Sequence, residues 1–222
     1  KGENGFFETL LEKQGCKRVA DVATGTGFHA VTLSRKGFEM VASDGCANMI
    51  EQTKRNATRF GVELAGVEVA DWRELDRHFG EAAFDGMLCL GNAFTHLFEH
   101  EARVEALGVM YRALRPGGVL VLDHRNYDRI LDQGYSSKHQ HYYTGEGVEV
   151  QPVEINDKVV RFEYSYPDNR KYHLNLFPLR RDYVTELLQG AGFAEVRRYG
   201  DFAAPFDPAG VDFLQQVAIK AR

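Results

Sequence analysis

Residues 18–30 read Arg18-Val-Ala-Asp-Val-Ala-Thr-Gly-Thr-Gly-Phe-His-Ala30, and the reading of this stretch decides the fold. Arg18 to Val22 has the composition of a buried strand, Ala23-Thr-Gly-Thr-Gly27 is a loop, and a short helix follows that ends before Gly37. Two glycines let backbone approach a ligand closely, and the helix N-terminus behind them favours a negative group. Gly25-x-Gly27-x-x-Ala30 satisfies the relaxed dinucleotide fingerprint, and Asp44 closes the next strand, where a ribose-binding acid belongs. At this point a nicotinamide and an adenosylmethionine cofactor fit equally well.

Outward from this unit, strand and helix signals keep alternating. Phe6 to Lys13 carries Phe7, Leu10 and Leu11 at helical spacing and stops at Gly15. Downstream come a strand at Glu39 to Ser43, a helix with Ile50, Thr53, Ala57 and Phe60 on one face, and Gly61 where a helix C-terminal glycine falls. Val67 and Val69 predict a third strand ending at Asp71, and Phe84 to Leu90 a fourth. Glu99 to Leu114 is a helix, and the turn Arg115-Pro-Gly-Gly118 feeds a strand from Val119 to Leu122. The pattern predicts an α/β fold with a mainly parallel sheet and helices on both faces. From Tyr135 the period changes to two, with Val148 and Val150, then Val160, Phe162, Tyr164 and Tyr166. Residues 135–178 are therefore expected to form an antiparallel β insertion that covers the substrate pocket, within one domain spanning 1–222. A helix at Asp182 to Gln189 and strands near Phe193 to Tyr199 and Phe213 to Ile219 complete the sheet.

The 222 residues are 44% hydrophobic and 27% charged, which excludes a disordered chain and lets a large core form without covalent help. Three cysteines without a close pair carry neither a disulfide framework nor a C-x-x-C site, so a reducing compartment is expected, with Cys46 and Cys89 buried as small hydrophobes. The net charge is −5 and the basic residues are scattered, so no nucleic acid partner is expected. No apolar run approaches the ~20 residues that span a bilayer, and the start lacks a signal peptide pattern, which together predict a cytoplasmic protein without a membrane partner. Because the first residue is Lys1, the natural chain is expected to begin earlier. His139-Gln-His141 has a metal-like spacing but no ligand cluster in sequence beside it, and is read as a solvated loop with no metal. The ordinary acidity suits a cell that accumulates organic solutes rather than molar salt. Oligomeric state is left open.

Three further features separate the cofactors. Asp71-Trp72 offers an acceptor for an adenine amino group beside an aromatic face, and Pro116-Gly117-Gly118 precedes a strand. No tyrosine has a lysine four residues later, and no Gly-Lys-Ser/Thr phosphate loop occurs. Together these points resemble the class I adenosylmethionine-dependent methyltransferases, a family whose seven-stranded sheet ends in an antiparallel strand. None of the six prolines precedes another, so the Asp/Asn-Pro-Pro-aromatic loop of nucleic acid amino-methylating members is missing; Leu90-Gly-Asn-Ala-Phe-Thr-His96 stands in its place.

Asp21-Val-Ala-Thr-Gly-Thr-Gly-Phe-His29, Ser43-Asp-Gly45, Cys89-Leu-Gly-Asn-Ala-Phe-Thr-His-Leu97, Asp123-His-Arg-Asn-Tyr-Asp128, Tyr142-Tyr143, Asn175-Leu-Phe-Pro178 and Tyr199-Gly-Asp-Phe202 resemble the glycine N-methyltransferase family, most of all its bacterial and archaeal glycine/sarcosine N-methyltransferases. The resemblance implies an S-adenosylmethionine-dependent enzyme of betaine synthesis that methylates glycine and sarcosine. It implies cofactor contacts from Ala23, Asp44, Gly45, Met49, Asp71, Trp72, Leu90 and His96, with Gly25 and Gly27 shaping the loop, and substrate contacts from Asn92, Arg125, Tyr142 and Tyr164. These enzymes also have an N-terminal arm ahead of the position of Lys1, bearing an Arg and aromatics that close over both ligands. Three rivals remain: a sarcosine/dimethylglycine N-methyltransferase, a non-catalytic module that binds adenosylmethionine and, most distant, a nicotinamide oxidoreductase.

The residues suggest their own chemistry. An amino acid carboxylate leaving water is gripped best by a planar guanidinium, and Arg125, just past the strand Val119 to Leu122, is the candidate; its alternative is an ion pair with Asp123 or Asp128. Methyl transfer to nitrogen needs a neutral amine held in line, so activity is expected to rise with pH above neutrality. Asn92 or the Gly91 carbonyl would orient that amine. His96 is a general base or a cofactor-side hydrogen bonder. Tyr142, Tyr143, Tyr164, Tyr166 and Tyr172 would roof the pocket and exclude water, or simply pack as strand aromatics.

Overall fold

The computed structural model describes residues 5–136 and 147–222; Tyr142, Tyr143, His139 and His141 lie outside them. Among the described residues ten strands form: β1 (Arg18–Asp21), β2 (Glu39–Asp44), β3 (Gly66–Val69), β4 (Phe84–Cys89), β5 (Leu114–Arg125), β6 (Glu149–Ile155), β7 (Val160–Ser165), β8 (Lys171–Leu176), β9 (Glu195–Gly200) and β10 (Phe213–Ile219). The helices are α1 (Phe6–Lys13), α2 (Phe28–Ser34), α3 (Ala47–Arg59), α4 (Leu75–Phe79), α5 (His100–Ala113), α6 (Tyr127–Gln133) and α7 (Arg181–Gly190), with 3-10 turns at Trp72–Glu74 and Ala93–His96.

Strands apolar on both faces must lie at the centre of a sheet covered on both sides. In β1, β4 and β5, Val19, Leu88, Val119 and Val121 face one layer with Phe7, Leu10 and Leu11 of α1 and Ala30 and Leu33 of α2. Ala20, Met87, Cys89, Leu120 and Leu122 face the other, with Leu107 and Met110 of α5 and Val184 and Leu188 of α7. The resulting seven-stranded sheet has the order β3-β2-β1-β4-β5-β10-β9. Neighbours from β3 to β5 run parallel, while β10 is antiparallel to both β5 and β9. Arg115–Gly118 does not break β5 but bulges within it: Phe84 pairs with Leu114, and Gly86 next with Val119.

The period-two segment forms a separate antiparallel sheet, β6-β7-β8. Its apolar face, including Val160, Phe162 and Leu176, joins the α5 and α7 layer. Its other face carries Glu163 between Lys171 and His173.

Two expectations are corrected. Phe60 is not on the buried face of α3: the helix ends at Arg59, and Phe60 turns out at its C-terminus, 52% exposed under the Arg59 guanidinium. Cys46 is exposed rather than buried, because it precedes α3 on the open carboxyl edge of the sheet, whereas Cys16 and Cys89 are buried. Among the described residues no helix is long and apolar enough to cross a membrane.

Candidate active site

From β1 the chain moves to β2 on one side, and β4 then pairs on the other, so the carboxyl ends of β1 and β4 flank a topological switch point. The loop after β1 is fixed there. Gly27 has φ 87, and a Cβ on it would lie 2.9 Å from Thr53 Cγ2 of α3. Thr53 donates to the Gly25 carbonyl (2.9 Å) and Asn56 to that of Thr26 (2.8 Å). Asp44, at the end of β2, accepts from the Gly25 N–H on one oxygen and from the Cys46 N–H on the other, both at 2.9 Å.

Beneath the loop, Asp21 is 1% exposed, and its two carboxylate oxygens, Thr24 Oγ1 and Ser43 Oγ are buried without a well-formed hydrogen bond. Burial pushes the Asp21 pKa up, and the Asp44 charge adds to this; His29, Thr24 and the Ala23 N–H offset only part. Native interiors leave few such atoms unpaired, so this concentration fits a receptacle for a ligand bearing N–H and O–H groups. Space beside Gly25 and Gly91 is open as well. The half-buried Ala23 and buried Leu90 border this corner, with Gly45 and the exposed Met49 on its rim.

Trp72 is held by its Nε1–H donating to the Val22 carbonyl (2.6 Å), with its ring 6.0 Å from Phe94. Asp71 sits beside it, with both oxygens on the Arg73 guanidinium (2.9 and 2.7 Å), whose hydrogen bonds hold its pKa low. His96, at the end of the 3-10 turn after β4, has an exposed side chain; desolvation lowers its pKa while the Asp44 charge works against the shift, so its imidazole is neutral near pH 7.

The substrate side is built on the turn after β4. Gly91 (φ 76) and Asn92 (φ 60) are both left-handed, and Asn92 is buried. The Asn92 N–H donates to Asp123 (2.8 Å), its Oδ1 accepts from the Arg125 N–H (3.0 Å), and its Nδ2 donates to the Tyr127 hydroxyl (3.0 Å). The Arg125 guanidinium, at the carboxyl end of β5, lies among the rings of Phe162 (5.2 Å), Phe213 (5.2 Å) and Tyr135 (5.8 Å). No described carboxylate pairs with it: Asp128 instead faces Arg180 and accepts from the Arg181 N–H. Tyr164 is half-buried, and the Arg125 charge acts on its phenol and on that of Tyr127.

Asn92, Arg125 and Tyr164 are thus gathered at one corner, and Asp44 and His96 at the next. Sequence reasoning missed Tyr127, Asp123 and Thr95 as parts of this corner. The hexapeptide Asp123-His-Arg-Asn-Tyr-Asp128 held the signal, because an Asn that caps a helix sets the next side chain at the sheet edge.

Two ties join this corner to the small sheet. The Phe177 N–H donates to the Thr95 carbonyl (2.8 Å). The buried Arg103 donates to the carbonyls of Leu97 (2.6 Å) and Phe98 (2.9 Å) and lies 3.9 Å over the Phe177 ring.

This architecture is shared with solved methyltransferases. An S-adenosylmethionine-dependent methyltransferase from Clostridium acetobutylicum ATCC 824 superposes with a TM-score of 0.81 at 14% identity, over 100% of this chain and 92% of that one. Residues 19–118 match a family described as "Methyltransferase domain". The fold is that of the class I methyltransferases, whose cofactor is S-adenosylmethionine. The glycine/sarcosine N-methyltransferase of Halorhodospira halochloris is 47% identical over 220 residues, 99% of this chain and 81% of that protein. That of Aphanothece halophytica is 46% identical over 218 residues, 98% and 82%. The chain belongs to the glycine/sarcosine N-methyltransferase family.

Proposed function

We propose that the protein methylates the amine of glycine to give sarcosine, and of sarcosine to give dimethylglycine, as early steps of betaine synthesis in the cytoplasm, without nucleic acid or membrane partners. The observation that carries the reading is the Arg125 guanidinium, ringed by Phe162, Phe213 and Tyr135, with no described carboxylate against it. A guanidinium in such a ring offers its N–H fork to a small carboxylate in a dry setting, where charge-assisted bonds are strong. The family membership points to the same substrates.

In this reading residues 1–222 are one methyltransferase domain, and 135–178 is a lid over the pocket, with Phe162 and Tyr164 on its inner side. Ala23, Asp44, Asp71, Trp72, Leu90 and His96 hold the cofactor, Gly25 and Gly27 shape its loop, and Gly45 and Met49 line its rim. When bound, the cofactor supplies an electrophilic methyl group. The chain's own residues orient and dehydrate the partner: Arg125 grips the carboxylate, the Gly91–Asn92 turn directs the amine, and Tyr164, joined by Tyr142, excludes water. His96, already neutral, is not needed as a base, since an amine deprotonated in solution carries its own lone pair.

The test is incubation with S-adenosylmethionine and, separately, glycine, sarcosine and dimethylglycine, measuring S-adenosylhomocysteine and each product from about pH 6 to 10. Turnover of the first two that rises with pH supports the reading. Turnover of sarcosine and dimethylglycine without glycine would move the substrate one methyl further on. Cofactor binding without turnover on any of them would sink the enzymatic assignment.

A further inference from the structure

We propose that Tyr127 is a positioning residue for methyl transfer, acting through Asn92; the inference rests on the reading of Asn92 and Arg125 as substrate-side residues. A left-handed backbone is tolerated by Asn better than by other residues with a side chain, and it is held firmly where the surroundings fix it. Asn92 meets that condition. Its N–H donates to Asp123 (2.8 Å), its carbonyl accepts from Thr95 Oγ1 (2.5 Å), its Oδ1 accepts from the Arg125 N–H (3.0 Å), and its Nδ2 donates to Tyr127 (3.0 Å).

The carboxamide has one sense only. Flipped, it would set an NH2 against the Arg125 N–H, donor against donor. With Oδ1 accepting from β5, Nδ2 turns to the Tyr127 phenol, whose hydroxyl also reaches Oδ1 (3.3 Å); of the four anchors Tyr127 is the one that holds the amide nitrogen.

Tyr127 is itself immobilised. It is fully buried and opens α6, and its ring stacks on His124 at 6.4 Å. The preceding Asn126 donates to the carbonyls of Pro208 (2.7 Å) and Val211 (3.0 Å), pinning the helix start to the segment before β10. Burial keeps the phenol protonated, with its pKa pushed up to about 12. The hydroxyl is therefore a fixed stop that sets the carboxamide and the Gly91–Asn92 turn relative to Arg125. Tyr127→Phe removes the stop and leaves the guanidinium in place, so the grip on the carboxylate survives while the placement of the amine is lost.

The experiment compares single-turnover methyl transfer at saturating glycine in wild type, Tyr127→Phe and a variant with 3-fluorotyrosine at 127, which keeps the hydroxyl. The expected result is a roughly tenfold slower transfer for Tyr127→Phe, with the KM for glycine and the Kd for S-adenosylmethionine within about twofold of wild type and the rate restored by 3-fluorotyrosine. A wild-type rate in Tyr127→Phe overturns the proposal. So does a parallel loss of KM, Kd and thermal stability, which marks the hydroxyl as structural only. Wild-type protein that turns over neither glycine nor sarcosine would strike the functional reading instead, an outcome distinct from a competent enzyme indifferent to the substitution.

Discussion

The two corners of the sheet's carboxyl edge differ in what they leave open. Where β1 meets β2, the oxygens of Asp21, Thr24 and Ser43 are buried without well-formed hydrogen bonds, while the exposed carboxylate of Asp71, past β3, is closed by Arg73. Where β5 meets α6, the polar groups of Asn92 are all matched, and the feature left open is the charge of Arg125. Among the described residues, the first corner lacks hydrogen-bond partners and the second lacks an anion. A ligand rich in N–H and O–H groups suits the first, and a small carboxylate suits the second, so the contrast alone sorts two ligands to two places.

The largest expected effect tests the second corner. Arg125→Lys keeps the charge but loses the fork, and should lower kcat/KM for glycine by roughly 10²-fold or more while the calorimetric Kd for S-adenosylmethionine stays unchanged. A loss of less than about tenfold would mean that Arg125 does not hold the carboxylate.

Next is a control on the scaffold of that same corner. Gln216 Nε2 faces both His124 Nε2 (3.2 Å) and the Arg181 carbonyl (3.0 Å), so His124 accepts at Nε2 and carries its proton on Nδ1, donating to the Arg125 carbonyl (2.8 Å). Burial depresses its pKa from 6.5 to about 4. Between those values the unfolded chain binds the extra proton, so this stability is complete above pH 6.5 and is lost as pH falls toward 4, by up to about 3 kcal/mol. Chemical denaturation of His124→Gln across that window should show a flatter pH dependence; an unaltered slope would assign the acid lability to other groups.

The smallest effect probes the first corner. Gly27→Ala forces a methyl to within 2.9 Å of Thr53 at φ 87, and should cost about 1–2 kcal/mol of stability and weaken cofactor binding several-fold, leaving the KM for glycine alone. If glycine KM changed as much as cofactor affinity, the two corners would not be separable.

The first corner was legible in sequence because it is local: Gly25, Gly27 and Asp44 lie in one strand-loop-helix-strand unit, and each residue type has a single steric or electrostatic reason to be there. The pairing of Asp71 with Arg73, two residues on, was equally local and went unweighed. The second corner was legible at Arg125 from its place past β5, and at Asn92 and Tyr164 mainly through the family resemblance. Its aromatic ring comes from Tyr135, Phe162 and Phe213, three distant segments, and no periodicity announces that they converge. Tyr127 was hidden differently, since a buried tyrosine that opens a helix looks like any core aromatic until its hydroxyl is seen on Asn92. Phe60 shows the reverse error: the spacing Ile50, Thr53, Ala57, Phe60 runs one step beyond where the helix stops.

The place of β10 bears on how the molecule is made. It is last of the described strands but sits between β5 and β9, with Phe213 directly opposite Arg125. During synthesis the glycine-rich loop and its strands emerge early and can assemble, whereas the wall around Arg125 stays open until β10 leaves the ribosome and inserts. A nascent chain therefore completes its cofactor corner well before its substrate corner, and until then the edges of β5 and β9 that β10 will pair stay open.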